Sequence, residues 1–327
     1  MKFSIPVIIV SVVMMTALST LKAQEATQIK RPRIKGVAHI GLYVKDVENS
    51  RKFYKDFLGF AEPYSLKSAD GSKLALTYIK INDRQVIELF PEKAANTNRL
   101  YHFAVETDDA EGMRLYLASK GCKVPATTPV GRTGNLNYFV TDPNGTICEI
   151  VQYDKEGYTM KNVGKDLLPT RISKRMSHVG FMVPDLDKAM KFYCDILGFK
   201  ETWRGSKDGK NVSWVNLKVP EGNDYIELML YDKEPSAATR GSMNHICLEI
   251  DDITKTLNTL KQRTLPDGCK MPSEFKIGIN QKRQINCFDG DGTRVEIMEA
   301  STVDGKPVPS SPLPPLKFVP AETNQSN

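Results

Sequence analysis

A motif of eight residues occurs twice in this chain, 139 residues apart. The first copy, at residues 53–60, reads Phe-Tyr-Lys-Asp-Phe-Leu-Gly-Phe, and the second, at residues 192–199, reads Phe-Tyr-Cys-Asp-Ile-Leu-Gly-Phe. Self-similarity at a fixed offset indicates a duplicated structural unit. The chain has 327 residues, which is too long for one typical domain, and we therefore expect two homologous halves.

Each half divides again into two similar units. Four short apolar segments begin with a histidine, and an aspartate follows seven positions after each histidine. An aspartate there can accept the free N–H groups of a first helical turn, so each segment is predicted to be a strand followed by a helix N-cap. Three of the helical segments are followed by a glycine, the expected stop, at Gly59, Gly121 and Gly198. The histidine–aspartate pairs are His39 and Asp46, His102 and Asp109, His178 and Asp185, and His245 and Asp252.

Apolar, strand-like runs follow each predicted helix, separated by turn signals such as Asp-Pro-Asn-Gly at residues 142–145. Each unit therefore indicates the order βαβββ. A unit of about 60 residues cannot cover its own small sheet, so the units should pair. We predict an α+β fold of four βαβββ units, paired into two curved mixed sheets with helices outside and a cavity on the concave side. The expected divisions are a first half at 36–154, a linker at 155–173 and a second half at 174–301.

The two ends of the chain have different compositions from the repeats. Residues 1–23 combine a basic start, a long apolar stretch and a small residue before Gln24, which predicts a secretory signal peptide and a secreted or periplasmic protein. An uncleaved membrane anchor is the alternative, and after cleavage no stable membrane insertion is expected. Residues 24–35 are predicted to be a basic tether. Residues 302–327 contain six prolines and are predicted to form an extended tail.

Charge and cysteine content argue against nucleic-acid binding and against a zinc site with cysteine ligands. The formal net charge of +6 arises from 45 Lys and Arg against 39 Asp and Glu, without a long run of one sign, so nucleic acid is not an expected partner. The six cysteines show no zinc-ligand spacing. The sequence leaves their disulfide pairing, and the oligomeric state, open.

The histidines and one set of glutamates indicate metal binding. The chain has only four histidines, and all four stand at the start of the four repeated strands. Each unit also ends in an apolar run that holds one glutamate, and an unpaired carboxylate on a buried strand face is costly. Two imidazoles and two carboxylates per half suit Zn²⁺, Ni²⁺, Co²⁺, Fe²⁺ or Mn²⁺ with open coordination positions. The candidate ligands are His39, Glu88, His102 and Glu149 in the first half and His178, Glu227, His245 and Glu296 in the second.

Other features of the sequence bear on the substrate. Small residues stand two positions after each histidine, where they are expected to leave space for a substrate above the metal. Four aromatic residues are candidates either for an apolar or sugar-stacking pocket or for ordinary core packing. It stays open whether each ion is held within one half or by units exchanged between halves. The small residues are Gly41, Ala104, Gly180 and Cys247, and the aromatic residues are Tyr43, Tyr231, Trp203 and Trp214.

Together, the unit order, the repeated helix-end motif, the Asp-Pro-Asn-Gly turn and the His/Glu/His/Glu order resemble the vicinal oxygen chelate superfamily. That superfamily includes glyoxalase I, methylmalonyl-CoA epimerase, extradiol dioxygenases and bleomycin resistance proteins, and the resemblance covers residues 36–301. It implies that all eight candidate residues are ligands, that the metal polarises a carbonyl or vicinal oxygens of a small molecule, and that a ligand glutamate removes a carbon-bound proton. Glu149 and Glu296 are the candidate bases, with Glu88 and Glu227 as the other candidates.

The resemblance therefore favours a metal-dependent lyase, isomerase or epimerase. Glutathione is not the expected cosubstrate, because Tyr43 and Met182 replace the arginine of glutathione-using members, and Glu92 and Tyr231 replace their asparagine. One alternative is an extradiol ring-cleaving dioxygenase, although no further histidine is left for its acid–base chemistry. The other is a non-catalytic, resistance-type binding protein, a class that generally lacks the ligand set.

Overall fold

The computed structural model describes residues 29–94 and 98–320, and the predicted signal peptide at 1–23 lies outside them. The chain forms two mixed sheets, one from each half. The first sheet has the order β2-β3-β4-β1-β5-β7-β6, and the second has the order β13-β14-β15-β12-β8-β11-β10-β9. The strands of the first sheet are β1 (Ile34–Val44), β2 (Ala61–Lys67), β3 (Leu74–Lys80), β4 (Val86–Pro91), β5 (Leu100–Thr107), β6 (Leu136–Thr141) and β7 (Ile147–Gln152). Those of the second are β8 (Arg175–Val183), β9 (Lys200–Gly205), β10 (Trp214–Lys218), β11 (Tyr225–Leu230), β12 (His245–Ile250), β13 (Lys276–Ile277), β14 (Lys282–Phe288) and β15 (Arg294–Thr302).

Each sheet is built from two units joined through their first strands. In the first sheet β1 and β5 pair antiparallel, while β4 runs parallel to β1 and β7 parallel to β5. The second sheet repeats this pattern with β8 and β12 at its centre. The predicted fold class is confirmed, with one local difference. The second unit has two strands after its helix, because Pro125 and Pro129 remove backbone donors from a segment that forms only the isolated bridge of Val130 with Leu136.

The helices begin where the aspartates predict. Each aspartate accepts a hydrogen bond from the backbone N–H three residues later, which satisfies a donor that the first turn leaves free. Gly59, Gly121 and Gly198 follow three of the helices at φ values of 83°, 80° and 79°, a conformation that favours glycine. No helix of the described residues is long and apolar enough to cross a membrane. The helices are α1 (Val47–Arg51), continued as a π-helix at Lys52–Phe57, α2 (Ala110–Ser119), α3 (Tyr158–Lys161), α4 (Leu186–Met190), continued as a π-helix at Lys191–Ile196, α5 (Ala237–Met243) and α6 (Ile253–Lys261).

The repeated motif connects the two halves. Its tyrosines lie in the π-helical segments, fully buried, and each reaches into the opposite half. The Tyr54 hydroxyl donates to Asp289 at 3.1 Å, and the Tyr193 hydroxyl donates to Asp142 at 2.9 Å. Each aspartate begins the turn before the last strand of a unit. The two halves therefore share one hydrophobic core, which buried tyrosine–aspartate hydrogen bonds cross in both directions.

The described residues that flank the repeats are packed against them. Of the predicted tether at 24–35, the structure describes residues 29–35, where β1 begins at the fully buried Ile34 and Arg31 pairs with Glu221 at 2.6 Å. The predicted linker at 155–173 contains the short helix α3. The described part of the proline-rich tail, up to residue 320, is extended but bound: the Ser311 N–H donates to the carbonyl of Arg204 in the edge strand β9. An edge strand offers unpaired backbone groups, and the tail uses some of them.

Candidate metal centres

Four predicted ligands of the first half meet at one point on the first sheet. The Nε2 atoms of His39 and His102 lie 3.0 Å apart. Oε2 of Glu149 lies 3.2 Å from Nε2 of His39 and 3.1 Å from Nε2 of His102, while Oε2 of Glu88 lies 3.8 and 3.5 Å from the same atoms. All four side chains are buried. The two units of one half therefore bring the set together, and no exchange between halves is involved.

Strand register explains this convergence. Across the antiparallel β1–β5 pair, His102 stands opposite Gly41 and His39 opposite Ala104, so each imidazole faces a small residue on the neighbouring strand. A Cβ built at Gly41 would lie only 2.6 Å from Nδ1 of His102, and one at Gly180 only 2.7 Å from Nε2 of His245. The space above these glycines, which the sequence assigned to substrate, is therefore occupied by the ligand imidazole of the partner strand.

Further side chains surround the two carboxylates of the first centre. The Asn137 amide donates to Oε1 of Glu149 at 2.8 Å, and Tyr78 stands opposite Glu88 on the neighbouring strand. Burial opposes charge on the cluster, yet hydrogen bonds with Glu149 and Glu88 raise the pKa of His102 to about 9. In the same way, His39 and His102 lower the pKa of Glu149 despite its burial. The cluster is thus a set of mutually compensating charges.

The donor set fits a divalent cation. The ligand atoms of His39, His102 and Glu149 all lie within 4.8 Å of one another. Ligand atoms that share one ion at bond lengths of about 2.1 Å are roughly 3.0 to 3.4 Å apart, and the closest contacts of the first centre, at 3.0 to 3.2 Å, fall in that range. Two imidazole nitrogens and two carboxylates are ligands that borderline metals accept.

A cavity of about 340 Å³ lies over the first centre, whose four ligands form part of its lining. Its wall is aromatic: the Tyr64 ring stacks on Tyr78 with 4.2 Å between centroids and contacts Tyr158 at 3.6 Å. Phe90 and Phe139 continue this wall. A polar floor beneath apolar walls is typical of small-molecule sites. Sequence reasoning missed these aromatic residues. One of them, Tyr78 on β3, stands directly opposite Glu88 on β4.

The aromatic residues proposed from the sequence lie elsewhere. Tyr43 and Tyr231 line a second cavity, of about 300 Å³, between the two halves. A third cavity, of about 560 Å³, is also formed by both halves. Trp203 and Trp214 line none of these three cavities. The substrate-pocket interpretation of these four residues therefore does not apply to the cavity over the first centre.

The second half brings its own ligands together in a similar way. The Nε2 atoms of His178 and His245 lie 3.1 Å apart, and Oε2 of Glu296 lies 3.3 and 3.5 Å from them. Oε2 of Glu227 lies 3.5 Å from Nε2 of His245. The three groups His178, His245 and Glu296 form a second candidate metal cluster, but they line none of the three cavities.

The second centre differs from the first in its charges. Nη2 of Arg294 lies 2.6 Å from Nδ1 of His245, and burial together with this arginine lowers the pKa of His245 to about 3. Burial also raises the pKa of Glu227. Sequence reasoning missed Arg294. The available signal was the difference between the halves two residues before the closing glutamate, where the first half has Ile147. Sequence reasoning also missed Asn137, for which the sequence carries no local signal.

Comparison with known proteins agrees with this architecture. Residues 36–150 and 175–307 match the model of the Glyoxalase/Bleomycin resistance protein/Dioxygenase superfamily. The chain belongs to this superfamily. Human mitochondrial methylmalonyl-CoA epimerase is 35% identical over 137 residues, which cover 38% of this chain and 74% of that protein. The superfamily supports an enzyme of the glyoxalase-like class that uses a divalent metal and a small-molecule substrate.

Two solved structures share the fold. The 2,3-dioxygenase LapB from Pseudomonas sp. KL28 has a TM-score of 0.63 at 16% identity, covering 86% of this chain and 98% of that one. The Mn(II)-bound glyoxalase from Novosphingobium aromaticivorans has a TM-score of 0.62 at 17% identity, covering 88% and 87%. At these identities the likeness concerns the fold alone, and the reaction has to be argued from the site.

Proposed function

We propose that the first half is a divalent-metal centre that catalyses proton transfer next to a carbonyl, as a lyase, isomerase or epimerase. Its substrate is a small molecule with a carbonyl or vicinal oxygens. The observation that carries the proposal is the convergence of His39, Glu88, His102 and Glu149 at an aromatic-walled cavity. Buried groups with compensating charges beside a ligand-sized cavity are characteristic of active sites.

These four residues would hold the metal, with Zn²⁺, Ni²⁺, Co²⁺, Fe²⁺ and Mn²⁺ as the candidates. When bound, the metal would polarise a substrate carbonyl and acidify the adjacent C–H group. Glu149 is the proposed base: Asn137 holds its Oε1 at 2.8 Å, so its orientation is set before a substrate enters. The aromatic wall would exclude water from the carbon that loses its proton.

We place the reaction in the first half only. Glu296, the other base predicted from the sequence, belongs to the cluster that lines none of the three cavities. Glu149 lines the cavity of about 340 Å³ together with Tyr64 and Tyr78. A base must come within hydrogen-bond reach of the substrate proton, and such a cavity provides the necessary access.

The two alternatives have less support. A ring-cleaving dioxygenase would need a further acid–base group, and the lining of this cavity contains no histidine besides His39 and His102. A purely sequestering protein would have no use for two imidazoles and two carboxylates buried together, with imidazole–imidazole and imidazole–carboxylate distances of 3.0 to 3.8 Å. Burying such polar groups costs free energy that sequestration alone does not require.

The test measures the exchange of a carbon-bound hydrogen of the substrate for deuterium from the solvent. The metal-loaded chain is incubated in D₂O with methylmalonyl-CoA, the substrate named in one relative, and with a panel of small 2-hydroxy ketones, and deuterium at carbon is followed by NMR. We expect exchange with at least one compound, its loss in Glu149→Gln, and full exchange in the control Glu156→Gln, which alters an exposed carboxylate. Oxygen consumption with catechol and no exchange would refute the proposal.

We also propose that residues 1–23 direct export to the periplasm or the medium. The support is the basic start, the apolar stretch and Ala23 before Gln24. Amino-terminal sequencing of the protein from fractionated cells should begin at Gln24. A cytoplasmic protein that retains Met1 would contradict export, and an intact, membrane-bound chain would indicate the anchor instead.

A further inference from the structure

One position distinguishes the two centres more than any other. Two residues before the closing glutamate, the first half has Ile147 and the second has Arg294. Nη2 of Arg294 lies 2.6 Å from Nδ1 of His245 and 3.2 Å from the carbonyl oxygen of Met243. We propose that Arg294 makes the second centre a weak metal site, so that the chain holds one tightly bound divalent cation, in the first half.

The first step of the argument concerns the proton on His245. A guanidinium has donors only and stays charged in proteins. At 2.6 Å from Arg294, Nδ1 of His245 is therefore the acceptor, and the ring proton lies on Nε2. Nε2 is the atom that faces Glu227 and Glu296, each at 3.5 Å. An imidazole binds a metal only through a nitrogen that carries no hydrogen, so this tautomer opposes binding.

The neighbouring carbonyl does not reverse this preference. The carbonyl oxygen of Met243 lies 2.8 Å from Nδ1 of His245 and would favour a proton there. That arrangement would set two donors, Nδ1–H and the Arg294 guanidinium, 2.6 Å apart. With Nδ1 as acceptor, Arg294 can donate both to His245 and to Met243. A charge-assisted contact is stronger than a neutral one, so this arrangement is favoured.

Charge acts in the same direction. Among the described residues, Arg294 forms no ion pair with a carboxylate, and its remaining close contact is the Met229 sulfur at 3.5 Å. The positive charge behind His245 repels a cation in front of it. In the first half Ile147 carries no charge, and Nδ1 of His102 has no hydrogen-bond partner in the described structure. No donor competes for this Nδ1, so it can keep its own hydrogen when the ring binds a metal through Nε2.

The test measures binding of Co²⁺ to the full chain by equilibrium dialysis and elemental analysis. We expect one equivalent of Co²⁺ to bind tightly and a second to bind at least tenfold more weakly. Changes to groups that contact a metal ligand typically alter metal affinity by such a factor. Arg294→Ile, which copies the first half, should strengthen the second equivalent about 10- to 100-fold. The converse change, Ile147→Arg, should weaken the first by a similar factor. His39→Ala should remove the tight equivalent and so assign it.

Folding and the proposed function are controlled separately. Arg294→Met keeps a long side chain without donors and serves if Arg294→Ile does not fold. Two equivalents of equal affinity in the wild type, or an unchanged second affinity in both variants, would overturn this inference but not the proposed function. The inference rests on the first metal site, so a chain that binds no divalent cation would overturn both.

Discussion

A methyl group at Gly41 should strongly weaken metal binding in the first centre, although no ligand residue is replaced. The added Cβ would lie 2.6 Å from Nδ1 and 3.1 Å from Nε2 of His102. Non-bonded contacts lie at about 3.5 Å, and Cε1 of the ring would lie closer still to the added Cβ, so the ring would have to move by at least about 0.9 Å. Distances between a metal ion and its ligand atoms vary by only about 0.2 Å around their ideal values. We therefore expect Gly41→Ala to weaken metal binding at least about 100-fold, and overpacking should cost about 1–3 kcal/mol of unfolding free energy.

The assay is Co²⁺ dialysis combined with urea unfolding of the metal-free chain. The matched control is Gly71→Ala, because a Cβ there meets no atom within 4 Å while its φ of +74° still strains a larger residue. The control should lose about 1 kcal/mol of stability and bind metal like the wild type. If Gly41→Ala folds and keeps wild-type affinity in the first centre, then the register argument for His102 is wrong.

Three further predictions concern single groups. Tyr54→Phe removes a buried hydrogen bond to Asp289 and should lower the free energy of unfolding in urea by about 1.5–3 kcal/mol. A decrease below about 0.5 kcal/mol, the size expected of a surface substitution, would show that this hydrogen bond between the halves contributes little. Burial raises the pKa of Asp289 to about 6 in the folded chain, so this group's stability contribution is present below about pH 4 and lost as pH rises through 6. Unfolding free energy should fall over that window by at most about 3 kcal/mol relative to Asp289→Asn, and parallel pH profiles would contradict the shift. Asn137→Ala frees Oε1 of Glu149 and should weaken metal binding about 10- to 100-fold, which the same dialysis measures; unchanged binding would mean that other contacts orient Glu149.

Several features were predictable from the sequence because they depend on local physics. The aspartate caps at Asp46 and Asp252 satisfy helix N–H groups within three residues, and Gly59 supplies a positive φ that its own position requires. Such features depend on a few neighbouring residues and carry over from one copy of the repeat to the next. The interpretation of Gly41 was wrong because it considered one strand alone, whereas the residue opposite it, His102, comes from another.

By itself, the sequence determined the four-unit plan, the helix starts and the eight histidine and glutamate residues that converge in the two centres, because each of these is repeated in register along the chain. Only the tertiary structure decided that each cluster assembles within one half, that the cavity over the first is aromatic, and that Arg294 stands behind His245. Those facts depend on which strands pair and in what register, since side chains distant in sequence meet only when backbone hydrogen bonds align their strands.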